Sequence, residues 1–113
     1  MQNQINLVQG DTGPDLTVAL YDSGSNAAID VSNAGDVVRL YFRKEDQSGT
    51  PVVTTIVGDK TNGGTDGVMT FAWPSGALDS VGHYEAEIEI SFSSGKKQTI
   101  PDKLRFYVRA QIQ

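Results

Sequence analysis

Gly82-His83-Tyr84-Glu85-Ala86-Glu87-Ile88-Glu89-Ile90-Ser91-Phe92 alternates polar and apolar residues without a break. Tyr84, Ala86, Ile88, Ile90 and Phe92 fall on one side; Glu85, Glu87, Glu89 and Ser91 fall on the other. Successive side chains of a strand point to opposite faces of its sheet, so this period predicts a long, half-buried β-strand. Its outer face carries charge and no catalytic chemistry.

Working outward, the same signal recurs in shorter runs bounded by turn formers. Ile5 to Val8 precedes Gly10-Asp11-Thr12-Gly13-Pro14, and Leu16 to Tyr21 stops at Asp22-Ser23-Gly24-Ser25-Asn26. Val37 to Lys44 and Val52 to Val57 are rich in β-branched and aromatic residues. Asp59 to Gly67 reads as a turn before a strand from Val68 to Trp73, which Pro74 ends because it has no N–H for a ladder. The last strand runs from Lys103 to Ala110, with a short edge strand expected at Ile29 to Val31 and one helical turn at most over Ser75 to Val81. About seven short strands with regular turns and no helical period predict an all-β, antiparallel β-sandwich. Asp79-Ser80-Val81-Gly82-His83-Tyr84-Glu85-Ala86 resembles the tyrosine corner of immunoglobulin-like domains, with Ala86 in place of the cysteine. The Tyr84 hydroxyl is then expected to bond backbone in the preceding corner.

With 113 residues, residues 1–113 are expected to form a single immunoglobulin-like β-sandwich domain. Cysteine is absent, which excludes a disulfide framework and a thiolate zinc site. The net charge of −5 argues against a nucleic-acid surface, and no apolar run reaches the roughly 18 residues of a membrane span. Met1-Gln2-Asn3-Gln4 lacks the basic start and apolar stretch of a secretory signal, so synthesis in the cytosol is expected.

The residues that could carry chemistry are few. His83 is the sole histidine and shares the outer face with Glu85, where no second imidazole or thiol joins it; a solvated strand position is the favoured reading. Glu85, Glu87 and Glu89 lie about 7 Å apart per step along one strand, whereas a glycosidase pair needs opposed cleft walls. Asp59, Asn62 and Asp66 have some calcium-loop character, but Thr61 and Gly63 break the EF-hand pattern and a plain turn is favoured. Asp11 and Asp15 are read the same way. Trp73 could stack a sugar, yet it shares a face with Met69 and Phe71, which favours the core. No enzyme, metal or cofactor is expected.

The chain's arginines occupy equivalent places. Arg39 and Arg43 flank Tyr41 on one strand; Arg105 and Arg109 flank Tyr107 on the last. In an immunoglobulin-like topology the glutamate strand lies between these two, so cross-strand ion pairs are expected. Arg39, Tyr41, Arg43, Arg105, Tyr107 and Arg109 are thus either an interface, since Arg and Tyr are favoured there, or a ladder satisfied by its own glutamates. The second reading is favoured.

Leu7 to Leu20 (LVQGDTGPDLTVAL), Asp22-Ser23-Gly24, Ile29-Asp30-Val31, Gly67 to Trp73 (GVMTFAW), Gly82 to Glu87 (GHYEAE) and Gly95 through Gln98-Thr99-Ile100-Pro101 to Phe106-Tyr107-Val108 together carry a family likeness. The chain resembles the N-terminal immunoglobulin-like domain of phage baseplate upper proteins and related phage tail structural proteins. That resemblance implies a non-enzymatic virion structural protein of a phage or prophage, in the tail or baseplate. It implies other virion proteins as partners, in multiple copies of a symmetric assembly, and location in the virion after synthesis in the bacterial host cytoplasm. Larger members continue where this chain ends at Gln113, which leaves a head-decoration protein as an alternative. A carbohydrate or cell-surface binding module using end loops is the other.

Overall fold

A computed structural model describes residues 4–22, 24–25, 27–45, 54–100 and 103–112. Nine strands are described: β1 (Gln4–Val8), β2 (Leu16–Ala19), β3 (Val37–Lys44), β4 (Thr54–Val57), β5 (Asp59–Lys60), β6 (Val68–Phe71), β7 (Gly82–Ser91), β8 (Lys97–Thr99) and β9 (Leu104–Arg109). The large sheet runs β1-β9-β7-β3-β4, with β8 also on β7; the small sheet runs β2-β6-β5. Every pairing is antiparallel except β1 with β9, which is parallel. This is an immunoglobulin-like β-sandwich. β5 and β8 are two and three residues long, so the remaining strands are those signalled by alternation.

The 82–92 stretch becomes the central strand of the large sheet. β7 pairs with β3 from Val37↔Ser91 to Lys44↔Tyr84, and with β9 from Gly82↔Val108 to Ala86↔Leu104. The glutamate strand therefore lies between the two arginine strands. Its inner residues Tyr84, Ala86, Ile88 and Ile90 enter one core with Leu40, Phe42, Met69, Phe71, Trp73, Phe106 and Val108. Phe42 stacks on Tyr84 (centroids 4.6 Å apart, planes at 7°) and meets Trp73 and Phe106 edge-on. Trp73 is 4% exposed, and no hydrogen-bond partner reaches its buried Nε1 among the described residues. Only a buried core position fits that environment, which removes it as a sugar platform.

The corner forms as its sequence requires: Tyr84 Oη donates to Ser80 O at 2.7 Å. The other expectations differ in detail. Residues 75–81 make a turn, with Ala77 N–H donating to Pro74 O, rather than a helical turn. Ile29 to Val31 is no strand. Ala28 makes an isolated bridge to Tyr21, and Ile29 and Val31 are tied to Leu20 and Gly64 by single backbone bonds. Both side chains still fill the core, so burial without a ladder explains the apolar signal. Of the strand expected at Val52 to Val57, residues 52 and 53 lie outside the described residues. Buried Asp36 is satisfied by Ser93 N–H, which donates to its Oδ1 at 2.9 Å and ties the start of β3 to the turn after β7.

Candidate functional site

The outer face of the large sheet gathers the residues singled out from sequence. The register sets Arg39 opposite Glu89, Tyr41 opposite Glu87 and Arg43 opposite Glu85, with Glu85 opposite Arg105 and His83 opposite Tyr107. All six arginine and tyrosine positions are thereby brought onto one surface. The partners they take are not all the direct ones. Arg43 is paired straight across with Glu85, Nε donating to Oε2 at 2.8 Å and Nη2 at 2.7 Å. Tyr41 Oη instead reaches Glu89 Oε1 at 3.1 Å, and Arg39 Nη1 reaches Ser91 Oγ at 3.2 Å, each two residues along from its direct neighbour. Diagonal neighbours lie within reach of long side chains on a twisted sheet, which accounts for the offset.

Glu85 is the exception on its strand. Its side chain points outward, yet the residue is 8% exposed. Arg43 covers it on one side, and Lys103 Nζ sits 3.6 Å from Oε1 on the other. The aliphatic stems of such cations shield what lies beneath them while the charged ends stay wet. With Glu85 occupied, Arg105 turns to Glu45, Nη1 donating to Oε2 at 2.6 Å. Arg109 Nη1 donates to the Ala110 carbonyl at 3.1 Å, and the His83 and Tyr107 rings lie 4.8 Å apart. Glu87 remains exposed. Tyr41, Arg43, Glu85, Glu87 and Lys103 border a depression of about 200 Å³, smaller than the roughly 300–1,000 Å³ of small-molecule sites.

Electrostatics follow the contacts. The hydrogen bond from Arg43 holds the Glu85 carboxyl below its ordinary value of 4.5, with Lys103 adding to the effect and burial opposing it. A carboxylate with a lowered folded pKa contributes stability that is present above the unfolded-chain value and lost as pH falls through the folded one. Glu85→Gln is therefore expected to lower the melting temperature at neutral pH. The two melting curves should converge as the pH drops below about 4.5. Thermal melts across that range check this; parallel curves for the two proteins would show that Glu85 does not supply the acid limb.

Elsewhere the acidic loops are turn structures. Asn62 Nδ2 donates to Asp66 Oδ2 at 2.8 Å and Val68 N–H to Oδ1 at 3.1 Å, which together lower the Asp66 pKa. Those bonds occupy both oxygens. Among the described residues, no group of three or more His, Cys, Asp or Glu is arranged to hold a metal ion. Sequence reading placed the outer-face residues correctly but missed Glu45 and Lys103 as their partners. Lys103 is adjacent to β9 in the chain; Glu45 just past β3 gave no periodic signal.

No family model matches the chain, and no curated protein does. Among solved structures, the chain is similar to the crystal structure of CopC from Methylosinus trichosporium OB3b, with 12% identity and a TM-score of 0.53, over 97% of this chain and 87% of that one. The likeness is one of fold and supports the β-sandwich. CopC is not a phage structural protein, and the virion role expected from the phage resemblance is overturned, with head decoration along with it. The physical reason lies in what the quoted segments do. Gly10, at φ +83°, turns the chain and donates to Leu78 O; Gly67 to Trp73 is β6 and core; Gly82 to Glu87 is the corner and the start of β7. These pieces are spent on building a sandwich, so the pattern they share carries architecture and no biological location.

Proposed function

We propose that this chain is a non-catalytic interaction domain working through protein–protein contacts, with the β9 side of the large sheet's outer face as its contact surface. The division of the cations carries this reading. Arg43 and Arg105 are neutralised by Glu85 and Glu45, whereas Arg39 and Arg109 donate to a hydroxyl and a carbonyl, which are uncharged. Among the described residues Arg109 thus has no carboxylate partner; it stands two residues along β9 from Tyr107, whose ring lies 4.8 Å from that of His83, and arginine with aromatic residues on a flat surface is the composition favoured at interfaces. Arg43 and Lys103 bind Glu85, and Arg105 binds Glu45, across a shallow surface, an arrangement suited to recognition by shape and hydrogen bonding.

A photo-reactive benzophenone side chain placed at Tyr107, and separately at exposed Thr65 on the β5–β6 turn, tests the reading in cells that make the chain. A discrete cross-linked protein from position 107 and none from 65, lost on adding Arg109→Glu, is the expected result. Equal labelling at both positions, or none at 107 in a folded domain, would count against it.

A further inference from the structure

The small sheet is a strand short on the β2 side. Its path has three strands against five in the large sheet, and among the described residues β2 pairs with β6 alone. Leu20 N–H donates to Gly67 O at 3.0 Å, and antiparallel bonding alternates along a strand. Leu16, Val18 and Leu20 therefore direct their backbone groups at β6, and those of Thr17, Ala19 and Tyr21 face the other way. The Tyr21–Ala28 bridge does not occupy that outer side, because its bonds use Leu20 O and Asp22 N–H, on the β6 side. Among the described residues, no strand pairs with this outer edge.

The core beneath the edge is open as well. Leu16, Val18, Ile100 and Leu104 pack against the core yet are only partly buried, unlike the fully enclosed residues at its centre. Val18, Leu20, Ile88, Ile100 and Leu104 line an apolar cavity of about 270 Å³ between β2 and the large sheet. A free row of backbone donors and acceptors above an apolar seam is the surface to which an extended segment adds as a strand.

Charge decides what kind of segment. Asp15 precedes the edge and Asp22 follows it, both exposed, about 23 Å apart at the rise of a strand. Two copies of this chain pairing antiparallel about Ala19 would set Asp15 and Asp22 of each within one position of the other's, and each copy carries a net charge of −5. Bringing two acidic surfaces of the same sign together is unfavourable, so a second copy is the poorer occupant. We propose that the outer edge of β2 accepts an extended segment of a protein partner, of about eight residues, apolar at every second position and carrying Lys or Arg at both ends. The proposal goes beyond the contact surface on the large sheet and stands or falls separately from it.

The probe is a capped eight-residue peptide of alternating Val and Thr with Lys at each end, compared with the same peptide carrying Glu at each end. Saturable binding of the Lys-ended peptide is expected, with slowed amide hydrogen exchange at Thr17, Ala19 and Tyr21 by NMR. The Glu-ended peptide should bind about tenfold more weakly. Asp15→Lys with Asp22→Lys should reverse that preference. Ala19→Pro removes an N–H that points away from β6 and should abolish binding while the native fluorescence of Trp73 persists. Should Ala19→Pro fail to fold, the reversed preference of the double charge variant decides alone. The proposal is overturned by absence of binding at about 1 mM peptide, by protection at other amides, by indifference to end charge, or by a dimer in sedimentation that Ala19→Pro dissolves.

Discussion

Phe42→Ala is expected to lower the unfolding free energy by about 3–5 kcal/mol. Phe42 is fully enclosed and is the hub of the aromatic core, 4.6 Å from the Tyr84 ring, 5.0 Å from Trp73 and 5.3 Å from Phe106. The register explains why so large a ring fits there: Phe42 faces Ala86 on β7, a big residue opposite a small one. Truncation leaves a void bounded by three rings that are themselves held in place, Tyr84 by its bond to Ser80, so the cavity cannot collapse cheaply. Domains of this size are stable by about 5–15 kcal/mol, so the loss is a large fraction of the total. Trp73 is the chain's single tryptophan and touches the void, which makes its emission the readout for urea unfolding. A midpoint displaced at constant slope is the expected result. A loss below about 1 kcal/mol would mean that the three rings close the gap.

Gly67→Ala is expected to cost about 2–4 kcal/mol, from two sources that can be separated. Gly67 has φ +73°, a region in which a side chain is penalised by about 1–2 kcal/mol. Its added Cβ would also stand 2.7 Å from Leu20 O and 3.0 Å from Ile29 O. Those are backbone atoms, so no rotamer change relieves the contact; the strand end at Leu20 must move. Gly63→Ala is the matched control, with φ +83° and nothing within 4 Å of its Cβ. The conformational penalty alone should appear there. Equal losses at 63 and 67, by chemical denaturation, would show that the close approach carries no energy of its own.

The long strands were legible because one face of each is buried and the other wet. That is a local pattern whose period names the structure, and β3 matches its expected bounds at both ends. β5 and β8 were not legible. Asp59–Lys60 and Lys97–Thr99 are polar and mostly exposed, and they are strands through backbone pairing to β6 and β7 alone. Ile29 and Val31 erred the other way, buried as a strand would be but without a ladder. The outer face showed the same split. Arg43 with Glu85 follows from register, while the use of Glu45 by Arg105 depends on where the chain runs after β3.

The alternation from Gly82 to Phe92, the spacing of the arginines and tyrosines, and the Tyr84 corner were determined by sequence alone. Each rests on neighbours a few residues apart, whose geometry strand pleating and local hydrogen bonds dictate. Tertiary structure decided that Glu85 is covered and that, among the described residues, Arg109 meets no carboxylate and β2 ends the small sheet with its outer edge unpaired. Those properties depend on which segments from distant parts of the chain arrive beside a residue, or do not arrive, and no local pattern records an absent neighbour.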